Sequence, residues 1–239
     1  MDNSQASKPS TFLPIIQSNK TDLISHLDLL TEKVILVGDE AIGLDEKISW
    51  LNSASFLPDS FTIKTFTLNQ SKEKDQVLES VMDLLNYFSL PSRLNSLIIS
   101  CCDELLMNAF FDAPVSDGIV THKNTHRSVN IDSAKPVQLI IGYNEQEIAL
   151  SVIDQYGSVN SNSIIKHMKK TFTEDSYQEP NRGTGAGIGL SLCVKRNTSL
   201  LIKVIPQQSS QFTAFFPIVK NFKEYLEKSQ LIGIHIEKN

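Results

Sequence analysis

An α+β fold is predicted for this chain, with helices layered on one face of a mostly antiparallel sheet. Two observations predict it. Strand patterns come in neighbouring pairs, at 137–143 with 148–153 and at 200–205 with 212–219. Helical patterns also come as a pair, at 71–88 and 92–113, and no βαβ rhythm runs through the chain. Short links between strands demand antiparallel partners, because parallel neighbours need a long crossover. At 239 residues, 41% of them hydrophobic, the chain is long enough for one large domain or a domain with an appendage.

In order, residues 1–10 read as a disordered tail and 11–16 as a short strand. Residues 21–32 carry Leu23, Ile24, Leu27 and Leu30 at helical spacing, with Thr21 or Asp22 as cap. Val34, Ile35, Leu36 and Val37 form a buried-strand signal, and 44–51 a second helix bearing Trp50. Pro58, Asp59 and Ser60 break the pattern, so 11–60 is set apart as a small α/β appendage. Residues 61–68 alternate as a strand. The 71–88 helix places Val77, Val81, Leu84, Leu85 and Phe88 on one side. Pro91 suits the first turn of the next helix, which is expected to end at Pro114. The polar stretch 115–135 reads as a loop or flap. After the 137–153 hairpin come a helix at 161–172, a loop at 173–182, a glycine-led helix, the second hairpin, a surface helix at 220–229 and a strand at 231–236. The expected division is therefore 11–60, 61–219 and 220–239.

Three polar signals interrupt this apolar scaffold. Glu104, Asn108 and Asp112 recur every four residues on the longest helix, so they share one face. A solvated stripe would explain such a row, but its flanks, Leu97, Ile98, Leu105, Leu106, Phe110 and Phe111, point to a buried helix. Carboxylate and amide oxygens in a row also suit Mg²⁺ beside phosphate oxygens. Asp154, followed by Gly157, ends an apolar strand; it is either a simple turn or an acceptor for an exocyclic amine.

The third signal is the run Arg182, Gly183, Thr184, Gly185, Ala186, Gly187, Ile188, Gly189, Leu190, holding four of the ten glycines. Alternating glycines suit neither helix nor strand. A glycine loop feeding a helix N-terminus offers free N–H groups to an anion, with phosphate the obvious candidate. The P-loop is excluded because no lysine follows at the required place, and the dinucleotide fingerprint because its third glycine would fall on Ile188 or Leu190.

Taken together and in order, these signals resemble the GHKL superfamily of gyrase-like, Hsp90-like and histidine-kinase ATPases. The N box resembles Glu104, Asn108 and Ala109, the G1 box Asp154 to Gly157, and the G2 box Gly183 to Leu190. The resemblance covers about 61–219 and is nearest the anti-sigma-factor serine kinase branch. It implies a Bergerat-type two-layer α/β sandwich that binds ATP with Mg²⁺. By that resemblance Asn108 ligates the metal, Glu104 acts as general base or positions a nucleophile, and Asp154 accepts the adenine amine. Gly183 to Gly189 form the hinge and phosphate cradle, and 173–182 a mobile lid. Arg182, Lys169 and Lys170 supply positive charge, with surface solubility as the plainer reading of all three. The family's G1 pattern is Asp-x-Gly-x-Gly, whereas Tyr156 and Ser158 occupy the two glycine positions here, so the adenine pocket is expected to have a different wall.

Two readings of function stay open. One is a serine/threonine kinase acting on a regulator or sigma-factor-like partner; the other is an ATP-responsive binding switch without turnover. A histidine kinase is disfavoured, since the stretch around His26 lacks two long dimerisation helices. His122 and His126 lack further metal ligands nearby, and Cys101, Cys102 and Cys193 read as buried thiols. The net charge of −5 gives no global attraction for nucleic acid or an anionic membrane. No uninterrupted apolar run approaches the ~20 residues of a membrane span. A cytoplasmic setting and a homodimer fit these features.

Overall fold

The computed structural model describes residues 13–30, 33–116, 131, 134–173, 194 and 198–237. It is an α+β protein built on one mixed eight-stranded sheet of order β1-β2-β8-β6-β7-β5-β4-β3. The strands are β1 (Ile15–Ser18), β2 (Val34–Val37), β3 (Thr62–Leu68), β4 (Val137–Tyr143), β5 (Glu147–Asp154), β6 (Ser199–Ile205), β7 (Ser209–Pro217) and β8 (Gln230–Ile236). The β3–β4–β5–β7–β6 run is antiparallel throughout, and the short turns of the β4–β5 and β6–β7 hairpins require it there. β8 pairs antiparallel with β2 but parallel with β6, and β1 lies parallel to β2. Residues 11–60 therefore contribute two strands to the same sheet through β8, rather than a sheet of their own.

Period-two alternation sorts each strand onto two faces. Ile35, Leu139, Leu150, Val152, Leu200, Ile202, Phe216 and Ile232 face one helical layer. That layer contains α1 (Leu23–His26), α3 (Lys74–Leu85), α4 (Ser92–Met107), α6 (Ser161–Thr173) and α7 (Phe222–Glu227). α2 (Leu44–Leu51) corrects the expectation of helices on one face only. Its Ile48, Trp50 and Leu51 pack on the opposite face with Leu36, Ile140, Leu201 and Phe215. The cause is local. All four residues of β2 are buried, so the sheet there needs cover on both sides, and α1 and α2 leave its two ends on opposite faces.

The second face carries buried polar groups as well. Lys47 of α2 reaches Glu147 Oε2 at 2.5 Å and lies 4.7 Å over the Phe215 ring. Burial holds Lys47 below, and Glu147 above, their ordinary pKa values, while their mutual attraction opposes both shifts. Lys203 of β6 donates to the carbonyls of Trp50 (3.2 Å), Ser53 (2.8 Å) and Ser55 (3.2 Å). Gln211 Nε2 donates to the Phe56 carbonyl at 2.5 Å and to Ser151 Oγ at 2.7 Å. Carbonyls at and beyond the C-terminus of α2 lack helical partners, and these side chains supply them.

The longest helix does not end at Pro114. After α4 the backbone widens into a π turn, Asn108–Asp112, then resumes as α5 (Ala113–Ser116). Ala113 N–H bonds the Asn108 carbonyl. Proline lacks an N–H and crowds the carbonyl four residues back, and the widened turn just before it accommodates both. By length and mean hydropathy alone the stretch Ser92–Asp112 could cross a membrane. Here Leu94, Leu97, Ile98, Leu105 and Leu106 are buried against the sheet. Cys101 and Cys102 are buried in the same core as thiols and not as a disulfide, and burial pushes the Cys102 thiol up.

Candidate functional site

The π turn and the end of β5 meet at one end of the sheet. Asp154 is the last residue of β5, opposite Ser210 of β7, and is only 2% exposed. Its Oδ1 accepts the N–H of Tyr156 at 2.9 Å and of Gly157 at 3.3 Å. Burial raises its pKa to about 6, against the pull of hydrogen bonds from Tyr156, Gly157 and Ser210. A carboxylate this enclosed keeps its charge only through such donors.

Gly157 has φ +59°, and a Cβ there would stand 2.2 Å from the Ile205 carbonyl oxygen. Its own carbonyl accepts Gln207 N–H at 3.2 Å. Glycine thus lets the turn after β5 lie directly on the β6–β7 hairpin, a role independent of any ligand. Ser158 Oγ then donates to the Ala113 carbonyl at 3.1 Å. That single bond ties the Asp154 turn to the helix carrying Asn108.

Glu104 lies on α4, while Asn108 and Asp112 bound the π turn, and all three are partly buried. Among the described residues, the Asn108 amide nitrogen Nδ2 is buried without a hydrogen-bond partner. An orphaned buried donor costs about 1–3 kcal/mol, so this one needs an explanation. π turns often occur where a helix carries function.

Tyr156 and Ser158, expected to line a pocket wall, both make contacts within the fold. Tyr156 is 2% exposed and joins the core, with Lys135 Nζ 4.8 Å from its ring centroid. Ser158 makes the bond to Ala113. Sequence reading did not single out Lys135 or Ser210; each sits among ordinary strand-end residues and offers no pattern. Lys169 of α6 pairs with Asp28, beside α1. Lys170 falls on α6, but its side chain lies outside the described residues. So do His122, His126, Cys193, all of the expected 173–182 lid beyond Thr173, and the whole run of Arg182, Gly183, Thr184, Gly185, Ala186, Gly187, Ile188 and Gly189. His26 Nδ1 is 3.0 Å from Ser18 Oγ, which also donates to the Asn19 carbonyl.

No protein-family model matches the chain, and no curated protein matches it.

Proposed function

We propose that the chain is an ATP-binding regulatory protein of the Bergerat type, acting on a protein partner in a cytoplasmic signalling system. The observation that carries this reading is the orphaned Asn108 amide on a π turn, tied through Ser158 to the buried carboxylate Asp154. The residues fit Mg²⁺ and ATP. Asn108 Nδ2 is a buried donor without a partner among the described residues and suits a phosphate oxygen, its Oδ1 being the atom that would meet Mg²⁺; Glu104 lies on the preceding turn, and Asp154 sits at a strand end. Mg²⁺, once bound, neutralises phosphate charge that would otherwise repel a nucleophile. Asn108 would hold the metal and hydrogen-bond a phosphate oxygen. Asp154 would orient the adenine amine, and Glu104 would receive the proton of an attacking hydroxyl.

A switch without turnover is the second reading. It is favoured by the commitment of Asp154 Oδ1 to its own turn and by Tyr156 filling the core where the family has glycine. Calorimetry with Mg²⁺-ATP and Mg²⁺-ADP tests the common part. Asn108→Ala should weaken binding at least tenfold, about 1.4 kcal/mol. Failure of the wild-type chain to bind either nucleotide defeats both readings. Transfer of labelled γ-phosphate to a co-purifying protein selects the kinase, and binding without transfer or hydrolysis selects the switch.

A pH arm isolates Asp154. Its folded pKa is raised, so the carboxylate is lost as pH falls through about 6. Adenine nucleotide affinity should fall over the same interval in the wild type. In Asp154→Asn it should be low and flat across that range.

A further inference from the structure

β3 closes one side of the sheet, and among the described residues only β4 pairs with it. Thr62, Ile63, Lys64, Thr65 and Thr67 are exposed along this strand. Ile63 is 50% exposed, and on the neighbouring helical segment Tyr87 is 87% exposed. A seven-residue open edge of β-branched and aromatic residues is a template for another strand. Beside it runs a groove of about 580 Å³ between β3 and α3, with Lys64 on the strand wall and Asp83 on the helix wall.

We propose that two copies of this chain pair through β3, antiparallel, about a two-fold axis at Thr65. The strand complements itself in that register. Thr65 meets Thr65, Ile63 meets Thr67, and Lys64 meets Phe66 on both sides of the axis. Lys64 already lies 4.9 Å over the Phe66 ring of its own strand, so the pair is chemically compatible. Lys64, one residue from the axis, then points toward the partner's groove, where an Asp83 stands that has no ion-pair partner among the described residues of its own chain. A two-fold contact uses the same patch twice, and one cation with one anion per groove satisfies that condition. Stable dimers bury about 800 Å² per partner, so the strand edge and the groove must both take part.

The test is the mass of the full chain by sedimentation across a wide concentration range. The wild type should move from one to two chain masses. Thr65→Lys and Thr65→Glu should each stay monomeric, with unchanged circular dichroism because Thr65 is exposed. Mixing the two variants should restore a dimer, because only a residue on the axis meets its own counterpart. A wild type that stays monomeric overturns the proposal, even if another protein's strand binds there. A dimer that survives both single variants also overturns it, and so does a mixture that stays monomeric. If a variant folds poorly, hydrogen exchange on the wild type decides: amides of 62–68 must gain protection as concentration rises, and constant exchange rejects the dimer.

Discussion

The two faces of the sheet are covered by different physics. On one, α1, α3, α4, α6 and α7 bury an almost wholly apolar surface. On the other, one helix and the irregular segment 53–61 are fixed by Lys47, Lys203 and Gln211. Burial is non-directional, and helices suit it because their own backbone groups are already paired. An irregular segment has carbonyls with no helical or sheet partners, so it needs donors at defined places. The first face is thus expected to resist as a unit, and the second to fail at named bonds.

The largest expected effect is at the buried ion pair. Lys47→Met leaves the buried Glu147 without its cation, which should cost about 3–5 kcal/mol in urea unfolding. Combining it with Glu147→Leu should recover most of that loss. A double variant as unstable as the single one would mean the pair does not hold the second face. On the helical face Leu200→Ala removes a side chain with 0% exposure and should cost about 2–5 kcal/mol. That loss should speed hydrogen exchange across the whole sheet alike.

Gln211→Ala should cost about 1–3 kcal/mol by stranding the Phe56 carbonyl, while Ser151 Oγ keeps its bond from Thr213. Unlike the leucine change, it should raise protease cleavage within 53–60 more than elsewhere. The smallest expected effect is a slope. Burial lowers Lys203 to about 8, against the attraction of Glu237. Between about 8 and its ordinary value of 10.5, the unfolded chain binds more protons at this group, so stability should rise with pH. Lys203→Met should flatten that rise in melts taken across the interval; an unchanged slope would remove Lys203 as its source.

Much of this architecture is legible from residues alone, wherever the cause is local. Val34 to Val37 and Ile148 to Ile153 are strands because their β-branched and apolar runs have no other use. Asn144 turns the hairpin because its Oδ1 accepts the N–H groups of Gln146 and Glu147. What stayed hidden was long-range. Lys47 and Glu147 are 100 residues apart, and nothing near either announces the other. Lys203 looks like an exposed strand position until the carbonyls of Trp50, Ser53 and Ser55 are seen around it. At the candidate site, the Glu104, Asn108 and Asp112 row is readable as one helical face. The π turn beneath it is not, since it answers to Pro114 and to tertiary packing. Gly157 reads as a ligand position in the sequence, and the backbone of Ile205 explains it without a ligand. The glycine run lies outside the described residues, so its test is chemical: Gly185→Ala should abolish nucleotide binding while leaving the urea midpoint unchanged.

β8 is last of the eight strands in sequence but third in space, wedged between β2 and β6. During synthesis β1 and β2 therefore emerge early and wait, with one edge of β2 unsatisfied, until residues 230–236 have been made. The β4–β5 and β6–β7 hairpins can form meanwhile from neighbours in sequence, and β5 and β7 can join them. A nascent chain of this protein carries an adhesive strand pair until β8 is made, and a pause before β8 is the interval in which a chaperone would matter most.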